Sequence, residues 1–257
     1  MTAVFPVIAS DGGDVDARQY VEPGTGKAQV SAFFVAVVGS LFGILVSYGV
    51  LLIVLLFSPL FAWYLHRKAA ALIHGSGVHV SEGQFPEIHR CFAAFKRRLG
   101  IRADVDVYIV EANVMNAMAV RYGKRNVVLL TDDLIHGCLE SAQPQALAFV
   151  IGHELAHIAL GHTGIFRAWM SRHMRRLGRL DEYSADAVAT ALVGDRSAAV
   201  GGLLLLTVGY ALVPFVDRTR LLQQAEEVAR DKYTAKAERE LSHPLPLNRI
   251  RHALGRL

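Results

Sequence analysis

The sequence predicts an α+β fold: a mainly helical domain with a small β-sheet, preceded by an N-terminal transmembrane helix or helical hairpin. Three observations carry this. Residues 30–65 form a run of 36 without one charge, the stretch 104–130 alternates around β-branched residues, and almost everything after Thr131 favours helix. A chain of 257 residues accommodates one domain of ordinary size with appendages. Hydrophobic residues make up 53% and charged residues 19%, which excludes a wholly disordered chain and leaves an apolar excess to be placed.

Residues 1–28 hold Asp11, Asp14, Asp16 and Glu22 against Arg18 and Lys27, among four glycines. They read as a flexible acidic tail, without the basic start of a cleaved signal peptide. Residues 29–65 are the anchor. In one helix the uncharged run would span about 54 Å, against a hydrocarbon core of about 30 Å. Either one tilted helix runs over 30–57 and breaks at Ser58-Pro59, or two helices turn near Ser47-Tyr48-Gly49. The run closes on Trp63-Tyr64 and His66-Arg67-Lys68, an aromatic belt followed by positive charge that holds what comes next on the cytoplasmic side.

Residues 66–257 read as the main domain. A helix is expected over 85–99, ended by Gly100, then a strand over 104–110. A hairpin follows, with strands 117–122 and 126–130 around Tyr122-Gly123-Lys124-Arg125. The apolar stretch 198–216 is just long enough to span a membrane, but Gly201-Gly202 and Gly209 interrupt it, and it reads as a core helix. The net charge of +4 comes with no basic run interleaved with aromatics, so nucleic acid is not an expected partner; a lipid bilayer is. Cys91 and Cys138 make no disulfide framework and read as small buried side chains.

Within a helix-favouring segment stands His153-Glu154-Leu155-Ala156-His157. Histidines four apart lie about 40° apart in azimuth and one turn apart along a helix, so both imidazoles reach one ion. Glu154 between them faces a metal-bound water as general base. With 11 histidines in the chain, roughly 0.02 such matches are expected by chance. A catalytic zinc takes three protein ligands and keeps a position for water. The metzincin pattern is excluded, because Leu160 and Thr163 stand where it needs Gly and His. His162, five residues past His157, falls about 140° round a continuing helix and reads as a helix-end or packing residue. Glu182 and Asp186, four apart in an apolar context, offer the third ligand and an acceptor for the free N–H of a ligand histidine. One Zn2+ per chain on His153, His157 and Glu182 is the expected cofactor.

The chain from about Val78 onward resembles the HtpX-like and CAAX-prenyl-protease-like membrane zinc metallopeptidases, metallopeptidase family 48, within the gluzincins. The His153–His157 motif followed by Gly161-His162 carries the resemblance, with Glu182-Tyr-Ser-Ala-Asp186, Asn116-Ala-Met-Ala119, and Ser242-His243-Pro244 with Arg249-Ile250. It implies a zincin-type metalloprotease domain. It also implies that Asn116, Ala117, Met118 and Ala119 form a strand beside the metal helix that takes an extended substrate by main-chain hydrogen bonds. His243 and Arg249 become candidates to stabilise an oxyanion or touch the metal site. HtpX itself is expected to carry membrane helices between the His pair and the Glu ligand; here the interval 158–181 is short and Arg-rich. Residues 167–179 hold five arginines and no acid, which suits a solvated connector or a segment meeting anionic lipid.

The expected function is that of a zinc endopeptidase at the cytoplasmic face of a bacterial plasma membrane, acting on unfolded or membrane-associated polypeptide. The other reading is a catalytically silent membrane adaptor or chaperone-like protein that keeps the fold.

Overall fold

A computed structural model describes residues 7–255 except 124 and 142. The uncharged run folds as a hairpin of two helices, α1 (Thr25–Val46) and α2 (Val50–Ser76), each long and apolar enough to cross a membrane. Of the two arrangements open to the sequence, the chain takes the one that turns at Ser47-Tyr48-Gly49. Tyr48 (φ 50°) and Gly49 (φ 88°) are both left-handed, and Ser47 Oγ accepts the Leu51 N–H at 3.1 Å. Pro59 does not stop α2. It lacks the N–H that would bond the Leu55 carbonyl, and the Ser58 hydroxyl donates to that carbonyl at 2.9 Å instead. The helix therefore continues past Arg67 and Lys68.

Where composition reads a flexible tail, residues 8–22 pack on the domain; residues 1–6 lie outside the described residues. The cause is Arg98, a buried cation. Its guanidinium donates to the carbonyls of Gly13 (2.8 Å), Ser10 (3.2 Å), Asp11 (3.4 Å) and Leu192 (2.7 Å). Ile8 and Ala17 enter the main core, and the Glu22 N–H donates to Ser184 Oγ at 2.9 Å. Main-chain carbonyls make most of these contacts, and composition does not register them.

After the hairpin come β1 (Val78–His79), α3 (Pro86–Arg98), β2 (Val105–Val110), β3 (Ala117–Tyr122) and β4 (Arg125–Thr131). The rest is helical: α4 (Asp132–Glu140), α5 (Pro144–Ala159), α6 (Ile165–His173), α7 (Arg175–Val193), α8 (Arg196–Val208), α9 (Arg218–Arg230), α10 (Lys232–Arg239) and α11 (Pro246–Gly255). The sheet runs β1-β2-β4-β3, with β2 and β4 parallel and the other pairs antiparallel. The expected hairpin is β3–β4; Lys124 in its turn lies outside the described residues. Strand β3 is an edge.

Helix α5 runs through the centre. Every residue from Ala146 to Ala156 is buried, as befits a helix apolar all round. Two glycines let its neighbours close in. A Cβ on Gly152 would meet Leu192 of α7 at 3.3 Å, and one on Gly202 of α8 would meet the Phe149 ring at 2.8 Å. Gly201-Gly202, read from sequence as an interruption, thus lies inside a helix and permits its close approach. The core helix expected over 198–216 is shorter than that: α8 ends at Val208, Gly209 turns the chain (φ 76°), and Phe215 is exposed. Both cysteines are buried and free, and burial pushes each thiol up to about 12.

Candidate metal centre and active-site cleft

Helix α5 delivers His153, Glu154 and His157, and α7, packed along it, delivers Glu182 and Asp186. The two Nε2 atoms stand 3.1 Å apart, each 3.5 Å from a different Glu182 oxygen. One ligand atom from each of these residues lies within 4.8 Å of the others. The donor set, two imidazole nitrogens and a carboxylate, suits a divalent transition-metal ion. Without a cation, the two facing Nε2 atoms share one N–H···N bond; a cation held by both lone pairs and by Glu182 takes the place of that hydrogen.

Each histidine is backed at Nδ1. His153 Nδ1 lies 2.9 Å from Asp186 Oδ1, and Arg249 of α11 grips that carboxylate with Nε (2.8 Å) and Nη2 (2.7 Å). His157 Nδ1 meets His162 Nδ1 at 2.9 Å, and His162 Nε2 lies 3.4 Å from Asp181. Asp181 in turn pairs with Arg167 and accepts the Ser171 hydroxyl at 2.7 Å. With metal on His157 Nε2, its proton sits on Nδ1 and is donated to His162, which leaves the His162 proton on Nε2, toward Asp181.

The electrostatics of the two histidines diverge. Burial pulls both imidazoles down. On His153 the Asp186 and Glu182 carboxylates outweigh it and hold the ring up at about 10, whereas His157 falls to about 4. Burial takes His162 down to about 2, helped by His157 and Arg167, and lifts Asp181 to about 6 despite Arg167. Glu182 lies well below the carboxylate range although burial opposes it, because His153 and His243 hydrogen-bond to it. Burial raises Glu154, with His153 opposing.

His153, Glu154, His157, His162 and Glu182 line a cleft of about 640 Å³ whose wall also includes Asn116 and, on the β3 edge, Ala117, Met118 and Ala119. Thr131 fixes the entry of that strand: its Oγ accepts the Asn116 N–H at 2.9 Å and donates to the Asn116 carbonyl at 3.0 Å. His243 reaches the cleft on a loop held against α7. Gly178 lets the Ser242 carbonyl pass, 2.8 Å from where a Cβ would stand, and Arg179 Nη1 donates to the carbonyls of Glu238, Arg239 and Leu241. His243 Nδ1 comes 3.2 Å from Glu182 and its side chain is 69% exposed. Arg249, read from sequence as a candidate to stabilise an oxyanion or touch the metal site, lines the cleft with its guanidinium buried on Asp186 and Nη1 3.6 Å from Glu182.

Comparison with known sequences adds to this geometry. The profile of peptidase family M48 matches residues 82–176. The Protease HtpX homolog of Thermodesulfovibrio yellowstonii is 35% identical over 133 residues, which are 50% of this chain and 44% of that protein. Over residues 82–176 the chain is similar to peptidase family M48. The chain spans less than half the length of the curated relative it matches, and the family match ends at residue 176, before Glu182. What sequence reasoning missed in this chain is the partner behind His157. Helix α5 ends at Ala159 and Gly161 (φ 75°) turns the chain, so His162 folds back onto His157 instead of continuing round the helix. Gly161 was the available signal.

Proposed function

We propose that this chain is a membrane-anchored zinc endopeptidase. The observation that carries the reading is the meeting of His153, His157 and Glu182 beside Glu154, in a cleft walled by the β3 edge. A zinc ion held by those three residues supplies a water acidified to a pKa of about 7 and a polarised peptide carbonyl. Glu154, raised by burial, takes the proton of the attacking water and returns it to the leaving amine. The β3 edge from Asn116 to Ala119 pairs with an extended segment of polypeptide and holds its scissile bond beside Glu154. His243, exposed in the cleft and raised by its bond to Glu182, donates to the developing oxyanion. Arg249 acts through Asp186 and Glu182 as a positioning residue.

The α1–α2 hairpin anchors the enzyme, and Lys27, Arg67 and Lys68 at its base keep the domain on the cytoplasmic side of a bacterial plasma membrane. Glu154→Gln is the decisive variant. Its amide neither accepts nor returns a proton, so casein hydrolysis falls by about a thousandfold or more while metal analysis still finds one zinc per chain. Hydrolysis within tenfold of the parent rejects the assignment of Glu154, and absence of zinc from the parent rejects the metal.

A further inference from the structure

Helix α6 turns large apolar side chains outward: Ile165 is 60% exposed, Phe166 54% and Trp169 40%. Its height along the membrane hairpin is fixed by contacts. The Phe166 ring meets Phe33 of α1 edge-on at 6.3 Å, and Met170 is buried with Ala28, Ala32 and Leu177. Trp169, Met170 and His173 close an apolar recess whose far walls are Ala36 of α1 and Leu51 of α2.

Counting from the hairpin tip gives the levels. Phe33 and Trp63 each stand fifteen residues from Tyr48, so in two antiparallel helices both lie about 22 Å from the tip. Lys27, Arg67 and Lys68 stand nineteen to twenty-one residues away, at about 30 Å, which equals the thickness of the hydrocarbon core. Arg176 joins that basic layer, since its guanidinium lies beside Gly24 at the head of α1. Phe166, touching Phe33, is therefore about 8 Å inside the basic layer, the depth at which amphipathic helices rest in a headgroup boundary.

We infer that α6 is a membrane-interface helix whose Ile165, Phe166 and Trp169 face enters the headgroup/acyl boundary of the leaflet next to the catalytic domain. Lys27, Arg67, Lys68 and Arg176 meet anionic headgroups around it. Ile165 and Trp169 also line the candidate active-site cleft, so one mouth of that cleft opens onto lipid. This rests on the hairpin crossing a bilayer, as proposed above.

The chain has two tryptophans, Trp63 and Trp169, which makes the test direct. Trp63→Phe leaves Trp169 as sole emitter, and Trp169→Phe leaves Trp63. Each full-length variant is reconstituted in vesicles of phosphatidylcholine and phosphatidylglycerol carrying a nitroxide near the headgroup or deep in the acyl chain. Trp169 is expected to emit at short wavelength and to be quenched about twofold more by the shallow nitroxide than by the deep one, as befits an interfacial depth. Quenching of Trp63 with Trp169 unquenched and open to iodide overturns the inference but leaves the anchor standing. Quenching of neither overturns both. Phe166→Trp in a background of Trp63→Phe and Trp169→Phe reads the same face independently: shallow quenching supports the placement, and iodide access rejects it.

Discussion

His153 and His157 sit one turn apart on α5 and face the same point, yet they are held from behind in different ways. Behind His153 stands a carboxylate, Asp186, clamped by Arg249. Behind His157 stands a second imidazole, His162, and only then a carboxylate, Asp181, clamped by Arg167. Both arrangements turn Nε2 toward the ligand point. Only His153 has a full negative charge at Nδ1, and that carboxylate, together with a bond to Glu182, holds it at about 10 while burial takes His157 to about 4. A ligand's orientation and its basicity are thus set separately, the first by any acceptor at Nδ1 and the second by the charge of that acceptor.

The comparison breaks first at the ligands themselves. His157→Ala removes a donor outright, and chelator competition is expected to show zinc affinity reduced beyond the roughly 100-fold that loss of an outer partner costs. Asp186→Asn comes next. It leaves Arg249 buried without its full counter-charge, so zinc affinity is expected to drop toward about 100-fold, with a loss of about 3 kcal/mol in denaturant titration. An effect no larger than that of His162→Ala would show that the two supports are equivalent.

Proton competition gives a third test. In the metal-free site His153 is protonated below about 10, so zinc must displace that proton. Zinc affinity is therefore expected to weaken about tenfold for each unit that pH falls below 10, and to level off above it. In Asp186→Asn one of the two carboxylates that raise His153 is gone, and the slope should level off at a lower pH than in the parent. Calorimetric titration from pH 7 to 10 reads both. The smallest effect is reserved for His162→Ala, expected to cost about tenfold in zinc affinity without changing the pH slope, because the imidazole it removes is neutral. His162→Gln, which accepts from one side and donates to the other, should restore most of it.

The parts of this design that follow a helical period are legible in the sequence. The four-residue spacings put His153 with His157 and Glu182 with Asp186, and β-branched alternation gives the sheet. The parts that depend on where a period ends are not. Wheel arithmetic carries His162 away from His157 only if α5 continues, and Gly161 stops it. Pro59 looks like a terminator until the Ser58 hydroxyl takes over the orphaned carbonyl. Arg98 reads as one more surface cation at the end of α3, because the carbonyls that bury it come from residues far away in the chain. Arg249 resembles a free charge aimed at substrate until its partner on α7 is known.

One residue, Gly77, separates the end of α2 from the sheet, and the segment leading into α1 is pinned by Arg98 and Ser184. The main domain accordingly has no slack at either attachment to the hairpin; it is mounted, not leashed. A leashed enzyme samples a range of heights set by linker length, whereas this one holds its cleft at a single height above the hairpin. The mounting acts as a ruler: on the proposed protease reading, a bond is cut where it can be brought to that height.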